Sequence, residues 1–406
     1  MMEYISIFVF VYPMMMAIVW IFGSLIFRFF VKEEIMFPPF AKGAIPGLSI
    51  LVPCHNEEDC IEETVLRLMV LELEQYEVIL INDCSQDSTL DKMIELQQKF
   101  PESNIRIVNL KTNQGKGAGM TIAAKVARYE YLLGIDADAV LDKWAPQYLL
   151  WHLVRHPDLG AVTGNPKVRN RISILAKIQV GEFSSIIGMI KRTQRLFGVV
   201  YTVSGVVALF RKRAVVDVGM WSNDMVTEDI DITWKLQLKG WGVQFEPRAL
   251  CWILVPETLK GIWSQRLRWS QGGNEVLLKY WKDIFSFRSY KMWILYLEYS
   301  CSVFWCYAFL FTIIITICEG SASTLFKPEL LGLLSLICLV QFSTGLILDN
   351  RYEKSQYKNI PWLVLYPLAY WIVNMSVTVV SFPKALLKPK GKVATWKSPD
   401  RGIRNE

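Results

Sequence analysis

Four long stretches of this chain carry almost no charge, and that constrains the fold more than any motif does. Between Glu3 and Arg28 no residue is charged. Three further apolar stretches, at 292–318, 328–349 and 360–382, have no charge at their centres. About 20 apolar residues in a row cross the hydrocarbon core of a bilayer as a helix, which satisfies its own backbone polar groups. The first stretch is too long, and its Met1-Met2-Glu3 start too acidic, for a cleaved signal peptide. It predicts a retained transmembrane helix within 1–31. The others predict a C-terminal membrane region over 290–383 of about three helices, so four spans in all. Pro367 can kink or divide the last one. A water-compatible domain over 45–255, an amphipathic segment over 256–285 and a basic tail over 384–406 complete the layout.

Charge placement sets an orientation. Lys32 follows the first apolar stretch, and Arg351, Lys354 and Lys358 separate the last two. The positive-inside rule puts the central domain and that loop in the cytoplasm. Lys384, Lys388, Lys390 and Lys392 favour the same side, which a complete fourth span would contradict; a re-entrant or interfacial course for 360–382 is the alternative. The formal charge of +6 is spread over membrane edges and loops. Anionic lipid headgroups are a sufficient partner for it, and nucleic acid is not expected. Eight cysteines with no CxxC pair and only three histidines argue against structural zinc.

Inside the central domain, hydrophobic runs alternate with helical patterns. Leu48–Pro53, Tyr76–Asp83, Ile105–Leu110 and Tyr131–Asp136 read as strands. Helices are expected after Cys60, over 89–99, and from Gly115 to about Tyr129. This βαβαβαβ order predicts a doubly wound parallel sheet, an α/β fold that places ligands at the carboxyl ends of its strands. Polar residues recur at those ends.

Asp136-Ala137-Asp138 closes a strand, and its two carboxylates can approach one divalent cation, Mg2+ or Mn2+, and the phosphates that cation holds. Asp83 ends another strand and can accept hydrogen bonds from a sugar hydroxyl or a base; otherwise it caps the next helix. Gly115–Gly119 fits neither common phosphate-loop spacing. Lys116 can still meet an anion there, or the stretch is a plain helix start. Glu228 and Asp229 open a helical pattern in Thr227-Glu228-Asp229. Carboxylates are favourable at a helix N-terminus anyway, but one pointing into a cleft is also a candidate general base. Gln265-Arg266-Leu267-Arg268-Trp269 lies in the amphipathic segment. It reads as an interfacial helix with aromatic anchors, or as a site with Arg268 on a diphosphate and Trp269 on a sugar ring. Acidic groups gathered beside membrane segments predict metal-assisted chemistry on a phosphorylated substrate whose product meets the bilayer.

The ordered set of separated aspartates, DxD, TED and QxxRW resembles the processive family 2 glycosyltransferases, over nearly the whole chain. Ala161–Pro166, Thr227–Ile230 and Val255–Thr258, with the short chain and small C-terminal membrane part, resemble the poly-N-acetylglucosamine branch. The resemblance implies a GT-A fold with a Rossmann-like mixed sheet and flanking transmembrane helices. It implies that Asp83 helps bind uridine, that Asp136 and Asp138 bind the diphosphate and its metal, and that Asp229 is the general base. Gln265, Arg268 and Trp269 then hold the chain end and diphosphate. It further implies inverting, processive transfer from UDP-N-acetylglucosamine to a growing β-1,6-linked polysaccharide, with a small membrane accessory subunit. A chitin-like or hyaluronan-like product, or a single transfer to a lipid, remains the alternative. Aromatics of the C-terminal region, Trp293, Trp305, Tyr307, Trp362, Tyr366 and Tyr370 among them, can stack on sugars or merely pack helices.

Overall fold

The computed structural model describes residues 2–31, 37, 39–319, 328–354, 356–389 and 391–395. Lys32, Lys390, the Tyr370 side chain and the tail from Trp396 onward lie outside the described residues. An apolar helix, α1 (Met2–Phe30), leads into the central domain. There β1 (Leu48–Cys54) is buried at every position, as a parallel strand covered on both faces must be. It pairs in parallel with β2 (Tyr76–Asp83), and β2 with β3 (Ile105–Leu110). On its other side β1 pairs in parallel with β4 (Tyr131–Ile135). The crossovers are α2 (Ile61–Leu68), α3 (Thr89–Lys99) and α4 (Lys116–Val126). These elements follow the expected order, although α4 stops short of Tyr129.

The parallel reading holds for these four strands and no further. The chain continues through β5 (Val140–Leu141), α5 (Ala145–Arg155), β6 (Leu159–Val168), α6 (Ile174–Glu182) and α7 (Ile190–Leu196). It then forms β7 (Val207–Arg211), α8 (Lys212–Asp217), α9 (Glu228–Lys239), β8 (Gly242–Ile253) and α10 (Leu259–Ile284). The eight strands lie in the order β3-β2-β1-β4-β7-β6-β8-β5. β7 runs antiparallel to both β4 and β6, while β8 is parallel to β6. The sheet is therefore mixed. Its second half is assembled by strands distant in sequence, which local patterning does not reveal.

Among the described residues, three helices are long and apolar enough to cross a membrane: Tyr4–Phe30, Ser289–Cys318 and Glu329–Asp349. The second overlaps α11 (Trp293–Glu319). The fourth apolar stretch divides into a 3-10 segment, Gln356–Leu365, and a 21-residue helix, Tyr366–Leu386. Pro367 sits in the first turn of that helix, where a missing N–H costs nothing, so it starts the helix rather than kinking it. The helix lies along α10, tied by Ser270 to Ser381 at 2.8 Å and by Asn274 to Ser381 at 2.9 Å. Several aromatics of this region bond to neighbouring backbone. Trp305 donates to the Val9 carbonyl at 2.8 Å and Tyr307 to that of Val379 at 3.1 Å. The central domain is joined to these helices by a buried charge cluster. Asp349, at the end of the third span, accepts from Lys167 of β6 and, at 2.7 Å, from Arg192 of α7.

Candidate active site

The first wall of the site is built at the carboxyl ends of β2 and β4. Asp83 is 1% exposed, and its two carboxylate oxygens accept the backbone N–H groups of Gln114 and Gly115, each at 2.8 Å. It therefore braces the turn that begins α4. Gly115 needs that turn's positive φ of 83°, and any side chain there would meet the Ala394 carbonyl. Asp83 does not cap α3: Ser88 occupies the cap position, and Asp87 accepts from the Thr89 N–H at 3.1 Å.

The brace delivers Lys116 into the site. Its ammonium lies 2.5 Å from Asp136 and 3.2 Å from Glu228, and donates to the Gly205 carbonyl at 3.1 Å. Burial alone would favour the neutral amine, but the two carboxylates outweigh it and raise the lysine above its ordinary value. Lys116 thus links the strand end carrying Asp136 to the helix start carrying Glu228.

That helix is α9. Thr227 occupies the N-cap without a side-chain bond, leaving Glu228 and Asp229 in the first turn. Asp229 accepts from the Gly205 N–H at 3.1 Å and from the Ile230 N–H at 3.0 Å. Burial, reinforced by the charge of Glu228 and opposed by Lys116, pushes its carboxyl up to about 6. A carboxylate poised there can take a proton near neutral pH. Sequence reasoning gave no role to Lys191, yet its ammonium is buried and donates to Ser204 Oγ at 2.7 Å, next to the glycine that holds Asp229. Burial pushes this lysine down to about 7. Its neighbours Arg192, Thr193, Gln194 and Arg195 make the local sequence read as a polar helix end, so no signal set this lysine apart.

The third wall is α10, started by Thr258, whose hydroxyl accepts from the Gly261 N–H at 3.0 Å. Gln265 and Arg268 line the same cavity as Lys116, Asp136, Asp138 and Glu228, a space of about 1080 Å3. Gln265 Oε1 is buried and has no hydrogen-bond partner among the described residues, so a donor on a bound substrate would satisfy it. Trp269 does not line this cavity. Its ring lies under the Arg266 guanidinium, 4.3 Å from carbon to centroid, and beside Phe183. The basic tail also contributes a wall. Lys388 donates to the Asp224 carbonyl at 2.5 Å and pairs with Glu275 at 2.8 Å. The Ala394 N–H reaches the Asn223 carbonyl at 2.9 Å. Lys388, Pro389 and Lys392 to Thr395 thereby form one side of the cavity, a role not read from their composition.

No group of three or more His, Cys, Asp or Glu side chains converges on a metal position among the described residues. The DxD pair still suits Mg2+ or Mn2+. Magnesium is commonly held by one or two carboxylates, with substrate phosphates and waters completing its shell.

Residues 46–272 match the family described as glycosyltransferase like family 2. The chain is 42% identical over 409 residues to a poly-β-1,6-N-acetyl-D-glucosamine synthase of Staphylococcus aureus strain MSSA476, covering 97% of this chain and 98% of that one. A synthase of the same name from Staphylococcus epidermidis is 42% identical over 410 residues, with the same coverage of both chains. Among solved structures, the mannosyltransferase PcManGT of Pyrobaculum calidifontis, in complex with GDP-Man and Mn2+, superposes with a TM-score of 0.69 at 17% identity. That match covers 95% of this chain and 99% of the other, and it supports a GT-A fold carried together with apolar helices. Since the family match takes in the DxD strand end, the TED helix and the QxxRW helix that surround the cavity, this chain belongs to the family 2 glycosyltransferases and is a multi-pass membrane enzyme of that family.

Proposed function

We propose that this enzyme elongates poly-β-1,6-N-acetyl-D-glucosamine from UDP-N-acetylglucosamine, with its catalytic domain on the cytoplasmic face. The observation that carries the reading is the joining of three motifs in one cavity beside the membrane helices, with Lys116 bridging Asp136 and Glu228. The relatives of matching length carry that polymer in their names.

The donor linkage is α and the product linkage β, so one inverting displacement suffices. Asp229 takes the proton of the acceptor 6-hydroxyl while that oxygen attacks C1 and the bond to UDP breaks. Arg268, exposed on the cavity wall, and Lys116 offer positive charge where the diphosphate leaves. Asp136 and Asp138 would hold Mg2+ or Mn2+, which supplies further charge neutralisation on the diphosphate. No enzyme nucleophile is needed. A glycosidase pair must protonate a poor leaving group and activate water, whereas UDP leaves readily once its charge is neutralised. Asp83 acts by holding the Lys116 turn beside the nucleoside. Gln265 offers its unpartnered oxygen to the bound sugar, and Trp269 supports the growing chain. A small membrane subunit completing the conduit for the polymer belongs to the same proposal.

Membranes carrying the enzyme, given labelled UDP-N-acetylglucosamine with Mg2+ or Mn2+, test it. Polymer cleaved by a β-1,6-specific hexosaminidase and absent with Asp229→Asn is the expected result. Polymer of another linkage would replace the product while keeping the mechanism. No transfer from any UDP-sugar, even with a candidate membrane subunit present, would overturn the reading.

A further inference from the structure

Two buried charges beside the QxxRW helix have no part in the chemistry above. Arg266 projects from α10 away from the cavity that Gln265 and Arg268 line, and it is 5% exposed. Its guanidinium donates to Glu182 Oε2 at 2.6 Å, and Glu182 is equally buried. The same guanidinium stacks on the Trp269 ring at 4.3 Å, three residues along the same helix face. An interfacial reading of this helix would send Arg266 to lipid headgroups. The structure instead turns it inward, as a strut between Trp269 and α6.

The backbone around Glu182 is unusual. Helix α6 ends at Glu182, and Phe183–Met189 continues as a π-helix before α7 resumes the ordinary winding. π-helical turns are rare and cluster at functional sites. This one places Phe183 against the other side of the arrangement, with its ring centroid 6.5 Å from that of Trp269 and the planes tilted by 60°. Trp269 is thus fixed by a cation on its face and a neighbouring aromatic ring, and the cation is fixed in turn by a carboxylate.

Energetics give a reason to look for a role. A buried ion pair seldom outperforms an apolar pair of the same volume, because both charges lose their hydration. Its return here is geometric. A planar guanidinium held by a carboxylate presents a flat face on which the indole stacks, which an aliphatic neighbour does not.

We propose that Glu182 and Arg266 are a positioning pair that sets the plane of Trp269 against the acceptor sugar, and so governs how long the enzyme keeps its chain. This rests on the reading of Trp269 as part of the acceptor site. Neither residue touches the reacting atoms. Weakening the pair should therefore leave donor binding alone and weaken the hold on the acceptor.

The test measures transfer from labelled UDP-N-acetylglucosamine to a short β-1,6-linked N-acetylglucosamine oligomer, together with product length, in full-length enzyme in membranes. Glu182→Gln and Arg266→Lys should raise the acceptor KM roughly three- to tenfold, the scale of a lost desolvated cation–π contact. They should shorten the product and leave the donor KM unchanged. Glu182→Asp should restore much of the length. Where a single variant does not fold, the paired Glu182→Met and Arg266→Met change removes both charges while keeping apolar volume, and the same defect is expected. Trp269→Ala separates the two claims. If it leaves acceptor KM and length unchanged, the acceptor reading of Trp269 fails and the positioning role falls with it. If it shortens the product while folded variants of the pair make full-length chains, only the positioning role is overturned.

Discussion

The two halves of the sheet handle buried charge differently. In the parallel half, Glu77 is fully buried on β2 and is satisfied by Ser49 at 2.7 Å and Arg106 at 2.8 Å from the adjacent strands and by the Arg128 N–H at 2.6 Å from the loop after α4. In the other half, Lys167 and Arg192 are as deeply buried, but their carboxylate is Asp349, at the end of a membrane helix. Arg171 likewise reaches Glu353, just beyond that helix, at 2.5 Å. Glu77 is thus satisfied within the parallel half. The mixed half pairs its buried Glu246 internally, with Arg248 at 2.7 Å, but Lys167 and Arg192 find their carboxylate on the apolar helix, so part of the half that carries Asp229 is tied to the membrane region.

That contrast can be broken in graded steps. The largest effect belongs to the chemistry: Asp229→Asn should lower turnover by about 100-fold or more, on the scale of general base catalysis, with donor binding retained in an equilibrium assay. Next comes the joint. Asp349→Ala leaves two buried cations without their carboxylate, and should cost about 3–5 kcal/mol in unfolding measured in detergent. If unfolding is unchanged, the mixed half does not depend on the membrane region and the contrast fails.

Gly272→Ala probes how closely α10 approaches the TED turn. A methyl group there would overlap the Thr227 side chain, which is β-branched and has little freedom to move. Overpacking of this kind costs about 1–3 kcal/mol. Because Thr227 precedes Glu228 and Asp229, kcat should fall more than stability does. A matched loss in both would make Gly272 a packing residue only.

The pH dependence has a definite sign. The folded Asp229 carboxyl is raised to about 6, so protons bind it as pH falls through that value, and the protonated acid cannot act as a base. Turnover should be level above that point and fall about tenfold for each further unit of acid. An acid limb close to the ordinary aspartate value would mean that bound substrate or metal relieves the burial. The smallest effect is expected in the parallel half, at the exposed Lys99–Glu62 pair. Lys99→Ala should change stability by about 0.5 kcal/mol or less, and salt should erase the difference.

Particular residues show what was legible in the chain. The strands ending at Asp83 and Asp136 were readable because each is a short apolar run closed by a polar residue. The TED helix was readable from its acidic first turn, and α1 from the lack of charge. The role of Asp83 as a brace was not, because its partners Gln114 and Gly115 lie about 30 residues away and contribute only backbone N–H groups. The division of 360–382 at Leu365 was not legible either. Hydropathy measures composition, whereas the docking of that helix on α10 rests on serine and asparagine contacts between distant segments.

Sequence by itself determined the kind of elements, their order, the membrane anchoring and the residue types that chemistry requires. Those depend on local periodicity and on transfer of side chains from water, both of which are properties of short segments. Tertiary structure alone decided that Lys116 bridges Asp136 and Glu228, that Arg266 turns inward, and that the tail walls the cavity. Each of these is a contact between charges or backbone groups far apart in the chain. Its strength depends on distance and on exclusion of water, and neither exists until the segments have packed.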